Sequence, residues 1–300
     1  MTPWLYTRYF AEYLLLRLII GAVRLLPLDK AVAASASAWG FLAPLSRRRH
    51  ERAMNNLAKA YPEKTEEERD LIARAMWKNL GRVMAETMQM DRLLSEPERI
   101  EIINSHILER YRNKLGAAVC VSLHTGNWEL AMWPLAVNGA KPAAVYRLVK
   151  NPLVDQYLRG QRTEIYPGGL FARGRGVGIN AGHETARMVG SYIRNGGRLG
   201  MLGDLFDRTG IPVPFFGHDA PSTPFPAMLA RRIGTRLWIG RCIRIGDACR
   251  FKVEMMEVRV PRTDDFDADI KAITTAVQAQ FESWIREYPE QFMWSNRRYS

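Results

Sequence analysis

Residues Gly116–Glu129 read GAAVCVSLHTGNWE, and the fold class follows from them. Ala117–Leu123 is a short continuous apolar run, the pattern of a strand covered on both faces. His124 comes directly after it, and Asn127 stands where an N-cap would open a helix over Trp128–Val137. A buried strand that turns at once into a helix is the repeating unit of α/β domains.

The alternation continues on both sides. Downstream, Ala143–Val149 reads as a second strand, Asn151–Ile165 as a helix and Gly168–Gly182 as a glycine-rich loop. Glu184–Arg194 reads as a helix and Arg198–Phe206 as a third strand. A turn-rich stretch, Thr209–Pro224, leads into a helix ending at Ile233. Strands Arg236–Ile245 and Arg250–Val260 form a hairpin around Gly246-Asp247, and Asp264–Glu287 closes the chain as a long helix. Upstream, Glu66–Leu94 reads as one long helix opened by a capping box of Thr65 and Glu68. The expected fold is α/β, with a mixed, largely parallel sheet flanked by helices. In such sheets ligands bind beyond the carboxyl ends of the strands. His124, Arg147 and Asp204 all end or follow expected strands.

The first fifty residues differ in character. Leu14–Leu28 reads LLLRLIIGAVRLLPL, with no small-residue cleavage site. Arg17 and Arg24 interrupt it, and the apolar window between them is far short of the ~20 residues that span a bilayer. Seven positions apart, the two arginines fall on one helical stripe. A wide apolar face with a basic stripe suits the membrane interface. Arg47-Arg48-Arg49, after a second apolar stretch over Ala31–Leu45, adds charge that anionic headgroups attract. Residues 1–50 are therefore read as an N-terminal amphipathic, membrane-associating helical segment and residues 51–300 as the α/β domain. The alternative is an amphipathic helix packed on a soluble core.

Lys and Arg outnumber Asp and Glu by 43 to 31, a net charge of +12. That excess draws nucleic acid, an anionic membrane or an acidic protein alike. The arginines are spread along the chain without a nucleic-acid-binding motif, which sets nucleic acid aside. Cys120, Cys242 and Cys249 lack metal-ligand spacing, and the five histidines form no H-E-x-x-H pattern, so no metal is expected. The cysteines ask for no disulfide, which points to a reducing cytoplasmic setting.

His124 and Glu129 are the candidate chemical pair. Histidine titrates near neutrality and is the commonest general base. Glu129, one turn into the next helix, can fold back on the imidazole, fix its tautomer and leave the other nitrogen basic. No Ser or Cys sits in a G-x-S-x-G elbow. The simplest chemistry is then direct: His124 deprotonates an acceptor hydroxyl, which attacks an acyl thioester. Backbone amides around Thr125–Asn127 are candidate oxyanion donors, and Arg147 is a side-chain candidate. Taken alone, such a His–Glu spacing also fits a hydrogen-bonded surface pair.

The wider sequence adds to this. His124-Thr-Gly-Asn-Trp-Glu129 resembles the H-x-x-x-x-[DE] block of the lysophospholipid acyltransferase-like superfamily, in the form found in bacterial lipid A late acyltransferases, the lauroyl and myristoyl transferases. Arg147, followed by Lys150-Asn151-Pro152, resembles the family's second block. Gly203-Asp204, then Pro212–Gly217 (PVPFFG), resembles its acidic residue and the block after it. Leu229–Gly234 resembles the helix that follows, and Tyr288–Trp294 with Arg297-Arg298 resembles the C-terminal block. The match is collinear over roughly residues 10–299. Leu205 stands where the family commonly has Gln, Asn296 where it commonly has His, and Thr163–Gly182 is unusual.

The resemblance implies an O-acyltransferase of lipid A and lipopolysaccharide biosynthesis on the cytoplasmic face of the cell inner membrane. It would move a fatty acyl chain from acyl carrier protein to a hydroxyl of a lipid A precursor, with no covalent intermediate and no cofactor. His124 and Glu129 would be catalytic, and Thr125, Asn127, Arg147 and Asp204 would bind substrate. The expected partners are acyl carrier protein, the precursor glycolipid and the anionic membrane surface. The competing readings are an acyltransferase of a glycerolipid or phosphoinositide mannoside, a non-catalytic membrane-surface protein, and an esterase or thioesterase.

Overall fold

In the computed structural model, which describes residues 2–108, 116–173 and 181–299, Ala118–Ser122 (β2) is a central strand with all five residues buried. Val119 and Val121 point into one apolar cluster, and Ala118 and Cys120 into another on the opposite face. This is why the run lacks polar alternation: both faces are covered. Its neighbours are β5 (Arg198–Leu202) and β8 (Arg236–Arg244), both parallel to it. Beyond β5 lie β3 (Ala143–Arg147) and the edge strand β4 (Gly169–Arg173), also parallel. Beyond β8 lie β9 (Phe251–Val258), antiparallel to it, and β1 (Ile100–Ile102). The seven strands run in the order β1-β9-β8-β2-β5-β3-β4. The mixed, largely parallel sheet flanked by helices is thus present, and β2, β3, β4, β5 and β8 deliver their carboxyl ends to one side.

The helices that matter for the site are α2 (Leu28–Leu42), α4 (Glu66–Thr87), α7 (Pro152–Gly160) and α10 (Phe266–Glu287). Between them the chain carries α3 (Arg47–Ala60), α5 (Met90–Leu94), α6 (Trp133–Val137), α8 (Ala181–Arg194) and α9 (Phe225–Ile233). Thr65 and Glu68 close the expected capping box of α4. The long helix expected there breaks at Met88-Gln89, and a short α5 follows. α2 packs closely on α4: the Ser35 hydroxyl donates to the Gly81 carbonyl (2.7 Å), and a Cβ at position 81 would meet Ser35 O at 2.6 Å.

Three further segments depart from the sequence expectation. Part of the glycine-rich loop forms β4, and positions 174–180 of it lie outside the described residues. The turn-rich stretch is a two-stranded antiparallel ribbon, β6 (Phe206–Phe215) and β7 (His218–Ser222), turning through Phe216 and Gly217 at φ 50° and 74°. Pro212, Pro214 and Pro221 mask these strands in the sequence; a two-stranded ribbon tolerates them because its outer edges need no ladder partner. β1, only three residues long, carries no alternation that a sequence reading could detect.

α1 (Pro3–Arg24) is largely exposed, with Ile20 as its one buried residue. Trp4, Leu15 and Leu18 are 69%, 60% and 63% exposed. The arginine stripe meets the rest of the protein while staying in reach of solvent: exposed Arg17 has its guanidinium 4.9 Å from the Tyr157 ring centroid, and half-buried Arg24 grips Asp91 at 2.8 and 2.6 Å. Among the described residues no helix is long and apolar enough to cross a membrane.

Candidate active site

β2 and β5 are parallel neighbours with Ser122 opposite Leu202. Two residues beyond this pair on each chain stand His124 and Asp204, so the register brings them to one level. Gly203 permits the approach. Its N–H donates to Ser122 O (2.9 Å), and a Cβ there would meet Val121 Cγ1 at 2.6 Å.

Asp204 meets His124 at three points. Nδ1 is 2.9 Å from Oδ1 and 3.1 Å from Oδ2, and the backbone N–H donates to Oδ2 at 3.2 Å. Asp204 is 2% exposed. Burial opposes charge on both partners, but their mutual attraction and hydrogen bonds override it. The imidazole is raised above its ordinary pKa, and the carboxyl is held below its own. With Asp204 ionised, the hydrogen bonds assign the proton to Nδ1 and leave Nε2 as the basic nitrogen. The Trp128 ring closes one side, edge-on to His124 with centroids 5.2 Å apart.

The expected contact between Glu129 and the imidazole is not formed. Glu129 instead accepts from Arg162, Nε to Oε2 at 2.7 Å and Nη2 to Oε1 at 2.6 Å. The cause is local. Trp128–Met132 is a 3₁₀ turn rather than the first turn of an α-helix, and Asn127 Oδ1 accepts from the Glu129 N–H at 3.2 Å. That cap directs the carboxylate toward the exit of α7. Glu129 still reinforces the imidazolium through space, more weakly than Asp204.

The turn carrying His124 is bound on every side. Thr125 and Asn127 are buried. The Thr125 N–H donates to Leu123 O (2.8 Å) and the Gly126 N–H to Gln291 O (3.2 Å). These two amides serve the turn, so they are not the open oxyanion donors that the sequence suggested. Gly126 sits at φ +53°, and a Cβ there would fall on the Cys242 carbonyl. Asn127 Nδ2 donates to Glu86 Oε2 (2.9 Å), and Glu86 is gripped by Arg244 at 2.6 and 2.8 Å with both side chains almost fully buried. Asn79 completes the network, donating to Gly126 O (3.1 Å) and accepting from Arg244 Nε (3.2 Å). From the C-terminal block, the Met293 N–H donates to His124 O (2.9 Å).

Arg298 lies behind Asp204. Its Nη2 donates to Ser222 Oγ and Gln278 Oε1, each at 2.9 Å, and Gln278 donates to Gly203 O (2.8 Å). Burial lowers the Arg298 guanidinium to about 10, against the pull of Asp204. Arg147 is exposed at the end of β3 and forms no ion pair among the described residues. The arginine brought to the site is Arg162. No spacing announces it, since it stands 33 positions after Glu129 and two residues past a helix end. Glu86 had a weak signal, a carboxylate that follows Leu80 and Val83 on the apolar stripe of α4. Burial pushes the Cys120 and Cys242 thiols up to about 12, which disqualifies both as thiolate nucleophiles.

A family model described as bacterial lipid A biosynthesis acyltransferase matches residues 2–300. The chain is 23% identical over 271 residues to a lipid A biosynthesis myristoyltransferase of Escherichia coli (strain K12), covering 85% of this chain and 76% of that protein. It is 24% identical over 265 residues to lipid A biosynthesis acyltransferase 2 of Shigella flexneri, covering 83% and 77%. It is also 24% identical over 219 residues to a phosphatidylinositol mannoside acyltransferase of Mycobacterium tuberculosis (strain CDC 1551 / Oshkosh), covering 71% and 63%.

Proposed function

Since the chain belongs to the bacterial lipid A biosynthesis acyltransferase family, we propose that it moves a fatty acyl chain from acyl carrier protein to a hydroxyl of a lipid A precursor. The observation that carries this reading is the His124–Asp204 pair at the carboxyl ends of two adjacent parallel strands. His124 Nε2 takes the proton of the acceptor hydroxyl as its oxygen attacks the thioester carbonyl. The tetrahedral intermediate collapses, the C–S bond breaks, and the departing thiolate takes the proton back from Nε2. Asp204 stabilises the imidazolium in between and holds the ring. No acyl-enzyme intermediate forms. Glu129 acts with Arg162 as a fixed ion pair beside the reacting atoms rather than as the direct partner of the imidazole. Arg147, exposed at the strand end, is the residue free to meet a substrate phosphate. Thr125 and Asn127 support the turn. The reaction calls for no metal or cofactor.

The exposed apolar residues of α1, together with exposed Phe41, Leu42 and Leu45 ahead of Arg47–Arg49, support docking on the cytoplasmic face of the inner membrane. An excess of positive charge supports an encounter with acidic acyl carrier protein. The mycobacterial relatives keep a second acceptor in view, a phosphatidylinositol mannoside. The deciding experiment offers purified protein acyl carrier protein bearing a labelled chain, with lipid A precursor, with phosphatidylinositol mannoside, or with neither. Label on the lipid A precursor is the expected outcome. Label on the mannoside alone reassigns the acceptor, and release of free acid without transfer to either lipid makes the protein a thioesterase.

A further inference from the structure

Asn151 is 4% exposed and makes four hydrogen bonds in two directions. Its Oδ1 accepts from the N–H groups of Leu153 (3.1 Å) and Val154 (3.4 Å), capping α7. Its Nδ2 donates to Tyr9 O (2.8 Å) and Glu12 Oε2 (3.1 Å) on α1. One side-chain amide therefore fastens two helices. The Arg17 guanidinium over Tyr157 makes a second contact between the same pair of helices. The other side of α7 is fixed by Asp155, which accepts from the Val149 N–H (2.9 Å) and the Tyr146 hydroxyl (3.0 Å) at the end of β3. α7 is thus held between α1 and the sheet. Two residues past its last residue, Gly160, comes Arg162, with its bidentate grip on Glu129.

We propose that Asn151 is a positioning residue that couples the seating of α1 to the Arg162–Glu129 pair. α1 carries exposed apolar residues, so one joint serves both the lipid-facing element and the site. Loosening the joint lets α7 shift, and Arg162 then meets Glu129 in the bidentate geometry for a smaller fraction of the time. The kinetic consequence rests on the acyltransferase reading; the mechanical coupling does not.

Asn151→Asp isolates the joint. Aspartate is as good an N-cap as asparagine, so α7 keeps its start. It has no donor for Tyr9 O, and it places a carboxylate against Glu12. Hydrogen–deuterium exchange of the amides over 152–166 should quicken about tenfold, the scale set by losing one or two buried hydrogen bonds. Turnover should fall about tenfold, with KM for the acyl donor unchanged. Adding Glu12→Gln supplies a donor from the α1 side and rebuilds the bridge with reversed polarity, so exchange and turnover should both recover. Glu12→Lys alters the exposed half of the joint with little risk to folding, and it should loosen 152–166 in the same sense. Unchanged exchange over 152–166 in both Asn151→Asp and Glu12→Lys overturns the coupling, as does failure of Glu12→Gln to restore it. A wild-type protein that transfers no acyl chain overturns the functional reading instead, and the exchange data still decide the joint.

Discussion

Asp204 holds His124 by its ring and by its backbone N–H at once, from a position two residues past the strand partner of Ser122. Ring orientation is thereby tied to strand register. Neither side chain can turn away without breaking a contact that the sheet itself imposes. Such rigidity suits a general base, whose contribution depends on being held in line with the proton it removes.

Asp204→Asn should therefore cost turnover about 10²–10⁴-fold with the fold retained. The pH profile gives the sharper test. His124 must be neutral to act as base, so activity rises as pH climbs through its raised pKa. Removing the carboxylate leaves burial less opposed and lowers that pKa. The ascending limb of kcat/KM should shift toward lower pH while the plateau falls. A limb that stays in place would show that Asp204 does not set the ionisation of His124.

The Glu129–Arg162 pair makes a separate prediction. Removing one partner of a largely buried pair strands the other charge, at a cost on the order of 3 kcal/mol. Arg162→Met and Glu129→Gln should each lower stability by about that much. The double variant should recover most of the stability and little of the turnover. Denaturant unfolding and transfer rates across the four proteins separate the two effects. A double variant with restored turnover would mean that the pair is structural only.

Gly126→Ala should be more damaging than either. The position needs φ +53°, and the added methyl would fall on the Cys242 carbonyl. Strain at such a site costs about 1–3 kcal/mol before the clash is counted. Loss of cooperative unfolding, or of soluble protein, is expected. Normal stability with normal activity would show that the turn can relax without disturbing His124.

The fold was legible where periodicity and covalent neighbourhood determine it. The apolar run ending in His124, the β8–β9 hairpin and the capped start of α4 follow from local chemistry. The site was legible as a set of residue types but not as a set of partners. The spacing of His124 and Glu129 suggested contact only on the assumption of an α-helical first turn, and the Asn127-capped 3₁₀ turn removed it. Asp204 joins His124 across a parallel register, which one sequence does not display. The partners of Arg17 and Arg24, Tyr157 and Asp91, were equally hidden, because a helical wheel gives the stripe and not what it meets.

A reaction carried by side chains alone should survive prolonged EDTA treatment. Transfer activity within about twofold of the untreated enzyme is the expected result, since no step of the proposed proton route passes through an ion. Loss of activity that one added divalent metal restores would require a different mechanism.

The membrane prediction follows from where α1 points. With Arg17 and Arg24 engaged by the protein, the surface left to the lipid is Trp4, Leu15, Leu18 and their neighbours. Each leucine buried in the interface contributes about 1 kcal/mol or more, and the exposed Arg47–Arg49 about 1 kcal/mol apiece to anionic headgroups. Leu15→Ser with Leu18→Ser should weaken binding to anionic vesicles by tenfold or more at any salt concentration. Arg47→Gln, Arg48→Gln and Arg49→Gln together should weaken it strongly at low salt and little at high salt, where screening has already removed the attraction. Both sets should raise the apparent KM for vesicle lipid while leaving attack on a soluble acyl thioester near the wild-type rate. Deleting residues 1–45 would be a poorer test, because it removes α2 from its seat on α4 along with α1. If the leucine variants still float with vesicles as the wild type does, α1 is not the docking element, and the exposed patch at Phe41, Leu42 and Leu45 becomes the surface to vary next.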